Sequence, residues 1–183
     1  MSYLFVHADI IHLIGNMIFL FVFGNAVNAK LGHGLFLASY ILFGAVAGLG
    51  WLLLGDGRPV VGASGAIMGV VGVFLVLFPR NDIAIYYWFG WVAVGTFTIS
   101  AVWVILFYFV CDLLGVLLAG GGAVAYVAHL GGALAGSAFS AALIGSGWLE
   151  PTAYEENLLQ TLGLREKHDR FASERKTSKR HKK

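Results

Sequence analysis

Residues 62–78 read GASGAIMGVVGVFLVLF, seventeen positions without a charge, with Ser64 near the front. Two other stretches repeat this arrangement. His12 and Asn16 lie near the start of an apolar run from Ile10 to Val27. His129, in Ala128-His129-Leu130-Gly131-Gly132, lies near the start of a run from Val124 to Leu143. A polar side chain in hydrocarbon is costly, and residues placed so are usually functional. All three sites fall at the N-terminal ends of long apolar segments.

The rest of the chain supports a membrane reading. Of 183 residues, 58% are apolar and 12% are charged, and the mean hydropathy is +0.80. A soluble domain carries about 25% charged residues. Nine of the twelve Lys and Arg residues fall between Arg165 and Lys183, whereas residues 1–149 hold only Lys30, Arg58 and Arg80 as cations. This pattern predicts a membrane domain over 1–149 and a cytoplasmic tail over 150–183, with a short helix and then a basic, disordered end. A basic run beside a membrane suits anionic lipid headgroups. The formal net charge of +2 gives no reason to expect a nucleic-acid partner. No basic n-region and cleavage site marks a signal peptide. Cys111, the single cysteine, allows no intrachain disulfide and reads as a small core residue.

Five spans are predicted, at Ile10–Val27, Leu35–Leu54, Ser64–Phe78, Ala101–Ala119 and Val124–Leu143. Breakers fall between them at Asn28–Gly34, Gly55–Pro59, Pro79–Asp82 and Gly120–Gly122. The fold class is therefore all-α: a multi-pass transmembrane helical bundle of about five spans. Residues 83–100 are apolar enough for a sixth. However, Tyr86, Tyr87, Trp88 and Trp91 suit the interface, and Thr96-Phe97-Thr98-Ile99-Ser100 is not a helical stripe. That segment is expected to lie along the membrane surface. With it outside the bilayer and the basic tail in the cytoplasm, the first, third and fifth spans all begin on the outer side. The three polar sites then share one leaflet. Were 83–100 a span, Ser64 and His129 would lie on opposite sides.

Each site has an ordinary reading beside its chemical one. Ser64 is a plausible helix cap or small packing residue. Gly62 and Gly65 beside it admit a close backbone approach, and the N–H groups at a helix start suit a developing oxyanion. His129 could tie two helices by a hydrogen bond, but Gly132 and Gly136 on its helix, like Gly65 and Gly69 on the serine helix, form small-xxx-small faces. Such faces let helices close until a base lies within hydrogen-bond reach of an alcohol. His12 and Asn16 share one helix face and could either link neighbouring helices or donate to an oxyanion. His7 reads as a loop-ordering residue. Asp112, the one acid deep in a span, stays open between orienting His129, being protonated, and bonding a neighbouring helix; no spacing argument joins it to His129. No Cys, His and carboxylate cluster has metal-ligand spacing, so no metal and no cofactor is expected. Gly120-Gly121-Gly122 lacks the lysine and strand–helix context of a phosphate loop and reads as a hinge.

At these residues the chain resembles the rhomboid intramembrane serine proteases. His12-Leu13-Ile14-Gly15-Asn16 is similar to the H-x-x-x-N of that family's second helix. Gly62-Ala63-Ser64-Gly65 is similar to the fourth-helix G-x-S-G, and His129 with Gly132 and Gly136 to the sixth-helix histidine and its glycines. The likeness covers about Leu4 to Leu143. It implies that Ser64 is the nucleophile and His129 its base, a dyad without a carboxylate. It also implies that the Ser64 N–H, His12 and Asn16 stabilise the oxyanion. Substrates would be transmembrane proteins cut near the outer ends of their helices, and the location a bacterial inner (plasma) membrane. There are departures. The family's first helix and the loop after it, with its Trp-Arg pair, have no counterpart, so the expectation is a fragment or a short gene reading. Asn28 stands where many members have glutamate, and Met68 where an aromatic ring often packs on the histidine. A rhomboid-like protein that binds membrane helices without cleaving them is the alternative. A small transporter would need repeats or interrupted paired spans, and neither is visible.

Overall fold

A computed structural model describes residues 2–55, 58–91, 93–118, 126–149 and 156–164. It contains five apolar helices: α1 (Ile10–Leu31), α2 (His33–Leu54), α3 (Ser64–Leu77), α4 (Ala101–Leu118) and α5 (Tyr126–Gly145). Strands β1 (Asp82–Phe89) and β2 (Ala93–Ser100) separate α3 from α4, and a single turn, α6 (Leu158–Thr161), follows α5. Helices α1, α2, α4 and α5 are long and apolar enough to cross a membrane. Helix α3 has 14 residues, a length of about 21 Å, which is short of a hydrocarbon core of about 30 Å. Among the described residues the multi-pass bundle therefore has four full-length helices around a shorter central one, and Ser64 begins that central helix.

Local chemistry sets the ends of these helices. The Asp9 side chain accepts from the His12 backbone N–H at 2.7 Å and so caps α1. Helix α1 then runs past the predicted break at Asn28 to Leu31. The turn contracts to Gly32, whose φ of +77° is readily adopted only without a Cβ and whose N–H donates to Asn28 O at 2.8 Å.

Helix α3 is buried at twelve of its fourteen positions, because α1, α2 and α5 all pack against it. Its closest neighbour is α5. A methyl group on Gly132 would overlap the Gly65 carbonyl oxygen, and one on Gly136 would overlap that of Gly69. Glycines four apart on each helix thus face each other in register, which is the close approach that small-xxx-small faces permit. Both pairs advance together along the two chains, so α3 and α5 are parallel. Helix α1 is parallel to them as well: His12 lies against Gly62, and Phe23 packs edge-on against Phe74 with centroids 5.1 Å apart. Helix α2 is antiparallel, setting Ala47 against Gly65 and Phe43 against Gly69. The expectation that the first, third and fifth helices begin at one end of the bundle is met.

Residues 82–100 do not form a span; they form an antiparallel hairpin, with Asp82 opposite Ser100 and Phe89 opposite Ala93. The alternation that ruled out a helical stripe is the period of a strand. In this register Ile83, Ile85, Tyr87, Phe97 and Ile99 share one face, and Asp82, Thr96, Thr98 and Ser100 the other. The aromatic residues Tyr86, Trp88, Phe89 and Trp91 are exposed near its tip, the amphipathic composition of a membrane interface. Of the short helix expected in the tail, the described residues 156–164 hold α6, which an Asn157–Gln160 capping box closes. Leu158 and Leu159 pack onto the core, but Leu162 is exposed. Residues 150–155, with Tyr154, lie outside the described residues, as do the basic tail and the Gly120–Gly122 hinge. Cys111 also departs from expectation. It is exposed on α4, because its neighbour Asp112 takes the inward position and successive residues on a helix point about 100° apart.

Candidate active site

The start of α3 is prepared by the chain before it. Gly62 has φ +113°, a backbone conformation that a side chain would strain. Its N–H donates to Tyr3 O at 3.0 Å, and the Tyr3 phenol donates to Gly44 O at 2.5 Å on α2. Burial pushes that phenol above its ordinary pKa of 10.0, which keeps it a donor. The N-terminal segment therefore pins the glycine turn that presents Ser64. Ala63 makes no side-chain cap, and the first-turn N–H groups of α3 have no partner within the helix.

On this start converges a set of side chains from three other helices. His129, in the first turn of α5, brings Nε2 to 2.8 Å from Ser64 Oγ. That is hydrogen-bond distance between an alcohol and a base. On its other nitrogen, Nδ1 lies 3.0 Å from Asp112 Oδ1 on α4. His12 and Asn16 of α1 sit over Gly62: a Cβ there would be 3.0 Å from His12 Nε2 and 3.7 Å from Asn16 Nδ2. Asn16 is buried, and its Nδ2 has no hydrogen-bond partner. An amide donor buried without a partner costs free energy, and an acceptor arriving beside Gly62 would relieve that cost. His7 packs edge-on against His12 with centroids 5.3 Å apart, consistent with the ordering role expected of it.

Ser64, His129, His12 and Asn16 thus lie together at this end of the bundle. Gly65, Gly69, Gly132 and Gly136 bring α3 and α5 together, and Gly62 makes room for His12 and Asn16. The sequence reading left Asp112 unassigned, and the structure joins it to His129. Met68, one turn after Ser64, is buried in the core cluster. Asn28 instead receives His33, with Nδ1 3.0 Å from its Oδ1. An alcohol, an imidazole and a buried carboxylate in line, beside a free helix N-terminus and an unpartnered amide, can carry out acyl transfer.

The chain is similar in sequence to known proteins. A family model described as the Rhomboid domain matches residues 1–146. Presenilin-associated rhomboid-like protein, mitochondrial, of Homo sapiens is 31% identical over 136 residues, covering 72% of this chain and 34% of that protein. Rhomboid protein 1, mitochondrial, of Saccharomyces cerevisiae is 34% identical over 143 residues, covering 72% of this chain and 38% of its own length. Rhomboid-like protein 11, chloroplastic, of Arabidopsis thaliana is 40% identical over 75 residues, covering 40% and 26%. The chain spans between about a quarter and two fifths of the length of these relatives. No solved structure matches it. With about four fifths of its residues inside the Rhomboid domain match, this chain belongs to the rhomboid family.

Proposed function

We propose that this multi-pass membrane protein is a serine endopeptidase that cuts transmembrane substrates within the bilayer. One observation carries the reading: His129 Nε2 stands 2.8 Å from Ser64 Oγ inside a bundle of apolar helices. Ser64 Oγ attacks the scissile carbonyl carbon while its proton passes to His129 Nε2. The carbonyl oxygen becomes an oxyanion facing the Ser64 backbone N–H and the side chains of His12 and Asn16. As the tetrahedral intermediate collapses, the C–N bond breaks and His129 gives its proton to the leaving nitrogen. Water then attacks the acyl ester, losing a proton to His129, which returns one to Ser64 Oγ as the acid product departs.

The membrane setting limits the substrate. A peptide bond in a helix is shielded by its own hydrogen bonds, so the cut falls where small residues let a substrate helix unwind, near its outer end. Because Ser64 begins a short central helix, water reaches the acyl ester from that same side. On the expectation of a bacterial plasma membrane, the basic tail puts the opposite end in the cytoplasm, against anionic lipid. Met68 favours a second reading, a helix-binding protein without peptidase activity, since no aromatic ring stands there to hold His129.

Full-length protein in liposomes should cleave a transmembrane reporter near its outer end. Asn16→Ala should lower kcat by about 10²–10³ with little change in KM. Unchanged turnover in Asn16→Ala would remove that amide from the oxyanion site. A folded wild-type protein that binds the reporter and leaves it intact would favour the second reading.

A further inference from the structure

We infer that Asp112 is the positioning residue of this site, turning the expected Ser–His pair into a Ser64–His129–Asp112 triad. The inference rests on the peptidase reading above and concerns how His129 is made ready. Asp112 is buried at 5% exposure, and its Oδ1 lies 3.0 Å from His129 Nδ1 while Ser64 Oγ occupies the opposite ring nitrogen. A carboxylate can only accept hydrogen bonds. Facing one, Nδ1 keeps the proton and donates it, which leaves Nε2 bare to accept from the serine hydroxyl. The wrong tautomer would put a hydrogen on Nε2 and leave Ser64 without a base. The second oxygen of Asp112, Oδ2, is buried with no hydrogen-bond partner. Among the described residues no other donor shares the charge, and its pull acts on the imidazolium that forms as the serine proton transfers.

The fold holds this pair deliberately close. Helices α4 and α5 are antiparallel, so a contact three residues later on one falls three residues earlier on the other. A methyl on Gly115 would overlap the Tyr126 ring, and this rung lies one turn from the Asp112–His129 rung. Among the described residues of α4, only Ala101, Ile105 and Asp112 are buried. Asp112 is the one of these in the half of α4 that flanks the site. Burying a carboxylate there is costly unless it is paired, and the pairing falls on the imidazole rather than on a structural partner.

A helix tie without a chemical role would look the same in a static structure, so the discriminating change is Asp112→Asn. Asparagine keeps the shape and can still bond Nδ1, but it can donate as well as accept and so releases the choice of tautomer. In the full chain in lipid, Asp112→Asn should lower kcat on a transmembrane reporter by about 10²–10⁴, with KM and the thermal midpoint unchanged. Labelling by a fluorophosphonate should slow in parallel. Independently of turnover, ¹⁵N spectra of ring-labelled histidine, with His129 assigned from His129→Gln, should show protonated Nδ1 and bare Nε2 in wild type and a tautomer mixture in Asp112→Asn. Wild-type turnover in Asp112→Asn, or an unchanged His129 tautomer, would overturn the triad. Equal inertness of wild type and Ser64→Ala would count against the peptidase reading alone, and the ring-nitrogen spectra would still decide Asp112.

Discussion

Ser64→Ala is expected to bring cleavage of a transmembrane reporter to the assay floor, a loss of at least about 10⁴-fold. The change removes the attacking oxygen and leaves the rest of the site in place. His129 keeps Asp112, and His12 and Asn16 keep their position over Gly62. Stability should fall by only about 1 kcal/mol, the worth of one hydrogen bond, so the thermal midpoint in lipid should barely move. That separation of activity from stability marks a nucleophile. A variant that still cut the reporter at a tenth of the wild-type rate would show that another group attacks. Reporter cleavage followed on a gel, with melting of the same preparations, supplies both numbers.

The largest structural effect is expected from Gly132→Val. Any Cβ at Gly132 meets the Gly65 carbonyl, and that atom belongs to the backbone of a helix buried on nearly every side, so neither partner can yield cheaply. The cost should exceed about 4 kcal/mol, enough to part α3 from α5. With them would part Ser64 and His129, so activity and fold should be lost together. Gly136→Val should behave alike, against the Gly69 carbonyl. Gly131 provides the control. The nearest atom to a methyl there is Ala47 Cα at 3.9 Å, ordinary contact, so Gly131→Ala should fold and cleave as wild type does. Chemical denaturation in mixed micelles, read by tryptophan fluorescence, checks the three variants side by side.

Much of this arrangement was legible in the sequence because membrane burial is written in composition. Helix ends at Ile10, Leu54, Ser64 and Ala101 fall where the apolar runs, Gly55 and Pro79 put them. The convergence of His12, Asn16, Ser64 and His129 followed from counting crossings, since helices that start on one side bring their first turns to one depth. Local pairing was harder to see. The hairpin over 82–100 shows a period of two only in its second strand, and aromatic crowding in the first masks it. Asp112 was left open between three roles for want of a register. It lies six residues before the end of α4 and His129 three after the start of α5, so the two depths differ by about one turn. The signal was the small Gly115 opposite the large Tyr126, which fixes the register once both helices are known to be antiparallel neighbours. A carboxylate deep in a span calls for a partner, and depth points to His129.

The most direct measurement is reaction of the full chain in lipid with a fluorophosphonate probe, the adduct being located by mass spectrometry. One adduct is expected, on Ser64, with its rate of formation falling to background in His129→Ala. A folded chain that takes up no probe, or one that labels at Ser64 just as fast without the His129 imidazole, would contradict the assignment of an activated serine.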